Sequence, residues 1–439
     1  MIVGFLDGNE GMSSRTSLVR AIGAPGIALV VLNSMIGAGI FALPAKVAPL
    51  AGDLSPWLFL LIGALFITVV LSFAELSSYF RESGGPVMFA SAAFGPLAGF
   101  SSGWLLYISR MSAFAANATA MAVYLAGVWP WFATGAGRTA LISTVCLGLT
   151  YANYVGVRDG VRTLAIFTLL KVTPILILVL VGLKEVTGDV LLPSAMPSAD
   201  DFGGLMLLII YAFVGFEAAT IVSGETKSPR RTMPSTLVYT VIATSILYCL
   251  IMLVYIAVLP EAERAGQTLS DVGRILGGAG GALVISLTAV FSIGGNLAAN
   301  MLSVPRLTFA LGEQKLLPAW FAALHPRFYT PANSVVFFGA CCLLLGLTGT
   351  FVLLASASSL ARMFSYALSI AGLPKIRREL GPTAPQGGFR LPFGFLIPGL
   401  ALLLCAWIAS NAGAEIWYLA LGQLAVGLLF YTISRQRRV

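Results

Sequence analysis

Runs of roughly twenty apolar residues, separated by short polar breaks, recur along the 439-residue chain. As helices, such runs match the thickness of a bilayer's hydrocarbon core. Inside lipid the backbone finds no water, so it must satisfy its own N–H and C=O groups, and continuous helices do this. The sequence is 58% hydrophobic and only 10% charged, against about 25% charged in an ordinary soluble domain. It therefore reads as an all-α integral membrane protein, and the runs are too long for the alternating ten-residue strands of a membrane barrel. About twelve transmembrane helices are expected, at 26–50, 57–79, 96–128, 138–157, 161–184, 203–224, 235–259, 280–311, 333–351, 353–373, 393–410 and 414–434.

The expected organisation is a cytoplasmic N-terminal segment at 1–25, a single membrane domain at 26–434 and a cytoplasmic C-terminus at 435–439. The opening stretch MIVGFLDGNEGMSSRTSLVR is too polar for the apolar core of a signal peptide, so the first span is expected to be retained; Met12 is an alternative start. Net charge +8 would suggest nucleic acid in a soluble protein, but here its distribution matters more. With the N-terminus inside, only Arg138, Lys184, Arg264 and Arg274 fall in outer segments, while the remaining loop and tail lysines and arginines fall inside. That bias puts both termini in the cytoplasm, with anionic lipid contact as a by-product and no nucleic-acid partner. Cys146, Cys249, Cys341, Cys342 and Cys405 all lie in apolar spans, where they are read as packing residues.

The first span contains NSMIGAGIFALP, with Gly37 and Gly39 inside a stretch otherwise apolar enough to cross a bilayer. Glycine in a helix interior costs about 1 kcal/mol relative to alanine, and irregular backbone is tolerated in a membrane only where it lines a cavity. Five spans later, Tyr211-Ala212-Phe213-Val214-Gly215-Phe216-Glu217 again places a glycine, now with an acid, deep inside a span. A repeat of five helices inverts topology, so these two spans would run antiparallel as partners in an inverted repeat. Repeat one would cover 26–184 and repeat two 203–373, with two extra helices at 393–434. The competing explanation is that the glycines only permit close helix packing.

A half-helix ending at the midplane offers free amides at one end and free carbonyls at the other. If the first span unwinds at 36–39, the amides of Gly37, Ala38, Gly39 and Ile40 can hold a carboxylate, and carbonyls after Ile36 and around Phe213 and Val214 can receive an ammonium. A zwitterionic amino acid carries both groups. The ionisable residues within the spans are Lys46, Glu75, Arg110, Lys171, Glu217 and Arg362, each a functional or pairing candidate because charge in hydrocarbon is costly. Lys46, Glu75 and Arg362 are placed near an interface or vestibule, and Arg110 is read as a lock between helices. Glu217 would tie unwound backbone together or exchange a proton. Lys171 has no acid adjacent in sequence; burial penalises its ammonium, so it would either load and release a proton or stand as a fixed charge in place of a metal cation. Enzyme signatures are absent: His325 is the sole histidine, and no GxxxxGK[ST] phosphate loop occurs, so no catalytic residue, metal or cofactor is expected.

Several motifs together resemble the amino acid–polyamine–organocation (APC) superfamily of permeases. They are IGAGIF at 36–41, ESGGP at 82–86 running into AFGPLAGF, YAFVGFEAATIVSGETKSPRRTMP at 211–234, and SVPRLTFALGEQKLLP at 303–318. The resemblance implies the LeuT-type fold and alternating-access transport of amino acids in the cell membrane. It implies that Ile36 to Ile40 hold the substrate carboxylate, that Tyr211 or Phe213 closes over the substrate, and that Val214, Gly215 and Phe216 line the pocket. It also matches Lys171 to a lysine that replaces the cation of sodium-coupled relatives, and Glu217 to the acid of the sixth helix. Sodium-independent and proton-coupled uptake of neutral amino acids is the leading expectation, with exchange without proton coupling or a cationic amino acid or polyamine substrate as alternatives. Two departures stand out. Ala38 occupies a position where relatives often carry a hydroxyl, and Val87 one where an aromatic is common.

Overall fold

The computed structural model describes residues 23–80, 84–156, 161–192, 197, 199–221, 229–380 and 389–436. The segment 1–22, Glu82 and Ser83 of the ESGGP motif, residues 222–228 of the sixth-span motif and the tail at 437–439 lie outside them. Among the described residues the regular structure is entirely helical. Among the described residues, five helices are long and apolar enough to cross a membrane, within Pro44–Tyr79, Thr232–Val258, Leu269–Glu313, Phe351–Glu379 and Ala414–Gln436.

The first span is split. Helix α1 (Ala24–Met35) ends, Ile36 to Ala38 are non-helical, and α2 (Gly39–Ala42) and α3 (Pro44–Ala51) continue beyond. Next come α4 (Ser55–Tyr79), α5 (Pro86–Phe94), α6 (Pro96–Ala126), α7 (Gly135–Val155) and α8 (Val161–Gly182). The sixth span is also split: α9 (Ala199–Ile210) is separated from α10 (Glu217–Ile221) by turns over Tyr211 to Phe216. This second break begins three residues earlier than Val214, because Ala212, Phe213 and Val214 already bond back to Ile209 and Ile210 in tight turns. The chain then forms α11 (Pro229–Val258), α12 (Leu269–Glu313), α13 (Ala332–Thr348), α14 (Phe351–Ala371), α15 (Leu373–Leu380), α16 (Leu396–Ser410) and α17 (Ala414–Gln436).

Local chemistry sets several of these boundaries. Thr134 and Thr350 cap α7 and α14 by accepting from Gly137 N and Leu353 N, and Thr268 forms a capping box with Asp271 at the start of α12. Within α12, Gly277 and Gly278 leave helical geometry, Gly278 at φ 61°, so the eight residues before them form an arm ahead of the expected span at 280. Helices α5 and α15 lie in stretches read from the sequence as loops.

Packing follows a fixed spacing. Helix α4 packs along α11, α6 along α12 and also α14, α7 along α13, and α1 against α10. An aromatic layer fills the space between α4, the second break, α11 and α14. There Phe73, Phe216 and Tyr366 meet with ring centroids 5.0–5.3 Å apart, and Phe213 lies 5.6 Å from Tyr248. The described cysteines are unpaired, as packing residues would be.

Candidate functional site

The two breaks pack directly on one another. A Cβ on Gly39 would come 3.1 Å from the Cα of Ala212, and one on Gly215 would come 2.7 Å from the carbonyl oxygen of Ser34. Gly215 also has φ +119°, a region L side chains rarely adopt. Close packing therefore explains these two glycines. Gly37 differs: a Cβ there would meet the side-chain amide of Asn296 at 3.3 Å, across a cavity wall.

At the first break the carbonyl end is capped from within the protein. Lys171, 1% exposed, reaches from α8 and donates to Asn33 O (3.2 Å), Asn33 Oδ1 (2.7 Å) and Ile36 O (2.9 Å). Three acceptors for three donors describe an ammonium at a helix C-terminus, where positive charge is favoured. The amide end is different, since Ala38, Gly39 and Ile40 N–H groups meet no acceptor among the described residues; Gly37 N, expected to be open with them, instead donates to Met35 O (2.9 Å) in a tight turn.

The second break is the mirror case. Glu217 is fully buried and its Oε2 accepts from Gly215 N (2.9 Å) and from the Tyr366 hydroxyl. Its Oε1 faces both Arg110 (3.3 Å) and Arg362 (3.2 Å). Here the amide end is capped by an anion. The carbonyls of Tyr211, Phe213 and Val214 receive no donor among the described residues, whereas Ala212 O accepts from Tyr248 (3.2 Å).

Both breaks border one cavity of about 590 Å³. Gly37, Ala38 and Gly39 line it from one side, Tyr211, Val214 and Gly215 from another, and Asn117, Asn296 and Asn300 close it from α6 and α12. Of the residues marked in the sequence, Ile36, Ile40, Phe213, Phe216, Lys171 and Glu217 are buried behind the cavity wall instead of lining it. Phe213 and Phe216 belong to the aromatic layer, which leaves Tyr211 as the ring beside the space.

Comparison with known proteins places the sequence in a group. Residues 22–431 match the amino acid permease family. The chain belongs to that family, within the APC superfamily. It is similar to the branched-chain amino acid permease BcaP of Bacillus subtilis, 28% identical over 97% of this chain and 95% of that one. A methylthioribose transporter from the same organism is 28% identical over 98% and 96% of the two chains, and a serine/threonine exchanger, SteT, 28% over 73% and 75%. The permease is thus a multi-pass membrane transporter and not an enzyme.

One expectation about a charged residue changes. Glu75 was placed near solvent, but in the permease it is fully buried and held by Arg377 through two 2.7 Å bonds, with Leu391 N (2.9 Å) and the Tyr79 hydroxyl (3.1 Å) adding donors. Arg377 lies in α15, a helix the sequence reading did not mark, and so the partner was missed. Arg362 does border the cavity, although it is only 3% exposed and is secured by Ser109 Oγ (2.9 Å) as well as Glu217. Arg110 locks helices as expected but also borders the cavity, while Lys46 is exposed.

The residues the sequence reading passed over are Asn117, Asn296, Asn300 and Tyr366. A signal was present: Asn296 and Asn300 lie four apart in an apolar span, and Arg110 and Asn117 seven apart in another, so each pair shares a helix face. Polar amides on one face of a membrane helix mark an interior surface.

Proposed function

We propose that the chain carries neutral amino acids across the cytoplasmic membrane by alternating access, without sodium and with a proton, and that it has both termini inside. One observation carries this reading: Ala38 and Gly39, whose amides are open, and Tyr211 and Val214, whose carbonyls are open, line a single cavity. Open amides favour a carboxylate and open carbonyls an ammonium, and a zwitterion has both. The capped ends add to the argument. Because Lys171 already fills the carbonyl end of the first break, that end has no need of a sodium ion. Because Glu217 is already engaged by two guanidinium groups, it is not free to receive a cationic side chain, which favours neutral substrates over polyamines.

In this reading the site comprises Ile36 to Ile40, Tyr211 and Phe213 to Phe216, with the buried residues among them contributing backbone, and Lys171 and Glu217 serve coupling and gating. The architecture is twelve spans in a five-plus-five inverted repeat with two added helices. Its support is the packing of α1 on α10, α4 on α11, α6 on α12 and α7 on α13, each joining a span to the one five further on. The bias of basic residues toward the inner segments supports the orientation.

Exchange without proton coupling is the second reading, and it has its own observation: all three donors of Lys171 are satisfied, as a permanently fixed ammonium would be. Radiolabelled uptake into proteoliposomes separates the two. A proton gradient is expected to drive net accumulation in sodium-free buffer. Uptake that needs internal amino acid and ignores the gradient would select exchange, and a sodium requirement would reject both.

A further inference from the structure

Asn296 is 8% exposed, lies on α12 and borders the cavity opposite Gly37. Its side-chain oxygen accepts twice, from Asn117 Nδ2 (2.8 Å) and Asn300 Nδ2 (2.8 Å). The orientation of these amides is dictated by their neighbours. Asn300 Nδ2 also donates to the backbone carbonyl of Asn296 (3.0 Å), which can only accept, while Arg110, which can only donate, faces Asn300 Oδ1 (3.4 Å). Asn300 therefore turns its NH2 toward Asn296, and Asn296 must answer with oxygen. Asn117 then donates to that same oxygen and accepts from the Tyr211 hydroxyl (2.6 Å) with its own.

With its oxygen engaged on both sides, Asn296 is left with an NH2 group that finds no acceptor among the described residues. That nitrogen is the atom nearest to a Cβ built on Gly37, at 3.3 Å. It is thus an unpaired donor beside the glycine that opens the first break, on a residue that lines the cavity. A donor left open there by its own neighbours is positioned for an acceptor that arrives from outside the protein. Ala38, meanwhile, has no side-chain donor to offer at the break.

We propose that Asn296 Nδ2 donates a hydrogen bond to the substrate's α-carboxylate, supplying from α12 the side-chain donor that Ala38 lacks. Asn296 is then a residue that selects for a carboxylate over its uncharged derivatives. The ladder Arg110–Asn300–Asn296–Asn117–Tyr211 fixes its direction. This inference rests on the amino acid reading above and adds one contact to it.

The test is direct binding to the purified full chain, first with the twenty standard L-amino acids, then with the carboxamide of the tightest binder. Wild type is expected to prefer the acid over its carboxamide. Asn296→Asp keeps an oxygen for Asn117 and Asn300 but replaces the donor with a negative charge. It should weaken the amino acid by about 10- to 100-fold, the range of a lost hydrogen bond to a charged group. Carboxamide binding should hold or improve, so the preference shrinks or reverses. Should the aspartate variant fail to fold, Asn296→Leu is compared with the same variant carrying Ala38→Ser, whose hydroxyl is expected to recover affinity. A wild type that binds while Asn296→Asp keeps the wild-type preference overturns the role of Asn296 alone, as does a serine that recovers nothing. A wild type that binds none of the twenty overturns both this inference and the reading on which it rests.

Discussion

The two breaks are built from similar sequences and finished in opposite ways. At the first, a cation from another helix occupies the carbonyl end and the amides stay open. At the second, an acid from the break itself occupies the amide end, and carbonyls stay open. An interrupted helix in a membrane presents two unsatisfied ends, and here the protein satisfies one end of each from its own residues. What remains is a pair of unlike ends across one cavity. The charges responsible also differ in cost. Lys171 needs only carbonyl and amide oxygens, whereas Glu217 holds two arginines that would otherwise face each other without compensation.

That difference predicts unequal consequences of removing each charge, and Glu217→Gln should have the larger effect. Glutamine keeps the shape of the side chain but leaves Arg362 buried, and Arg110 at the cavity edge, with no anion. Losing one partner of such a buried cluster costs about 3–5 kcal/mol, which should appear as a large fall in Tm in detergent or failure to purify. A variant with wild-type Tm would break the view that the second break is held by charge. Restoring Tm by adding Arg362→Gln would sharpen it.

Gly39→Leu comes next in size. The side chain would be driven into the Ala212 backbone, and overpacking of this kind costs about 1–3 kcal/mol while separating the two breaks. Uptake should vanish even where the protein remains folded by size-exclusion chromatography. Gly37→Ala provides the contrast within the same motif, because its new methyl meets side-chain amides, of Asn296 and Asn117, and no backbone. It should weaken substrate binding with little change in Tm, and equal Tm losses for the two variants would erase the distinction drawn between these glycines.

How much of this was legible in the sequence follows from how local each signal is. Apolar runs are local, and each marked span coincides with helix among the described residues. The breaks were also local, since glycines in an apolar stretch announce themselves. The pocket walls were not. Whether Phe213 or Tyr211 faces the cavity depends on the turn geometry between α9 and α10, which tight turns advance by three residues, and no periodicity encodes that. Partners far apart in sequence were hidden as well: Glu75 and Arg377 are separated by more than three hundred residues, as the 302-residue spacing of their hydrogen bond records. The asparagines were visible as residue types, but their meaning as a directed ladder appears only when α6 and α12 are side by side.

Lys171→Ala should affect coupling more than stability. Removing the ammonium leaves the carbonyls of Asn33 and Ile36 without it, although Ser292 still donates to Ile36 (3.3 Å), so a loss of about 1–3 kcal/mol is expected. If the proton rides on this lysine, the variant should lose its response to a pH gradient in proteoliposomes while still exchanging substrate. A gradient response equal to wild type would remove Lys171 from the coupling mechanism and leave it as a cap.

The smallest effect is expected at Phe213, and it separates lining the cavity from supporting it. Phe213 is fully buried and packs between Phe59, Phe66 and Tyr248, with centroids 5.6–6.4 Å away. Phe213→Leu removes those edge contacts, worth about 0.5–1.5 kcal/mol, and leaves the cavity surface as it was. Tm should fall slightly and the apparent affinity for substrate should stay within about twofold, a change of less than half a kcal/mol. Tyr211→Phe is its opposite: the ring stays, but the hydroxyl that donates to Asn117 (2.6 Å) is lost from the ladder that lines the cavity. Affinity should then drop more than Tm. Should Phe213→Leu instead alter substrate preference, the ring must swing into the cavity during transport, and the aromatic layer would be a moving gate and not a fixed support.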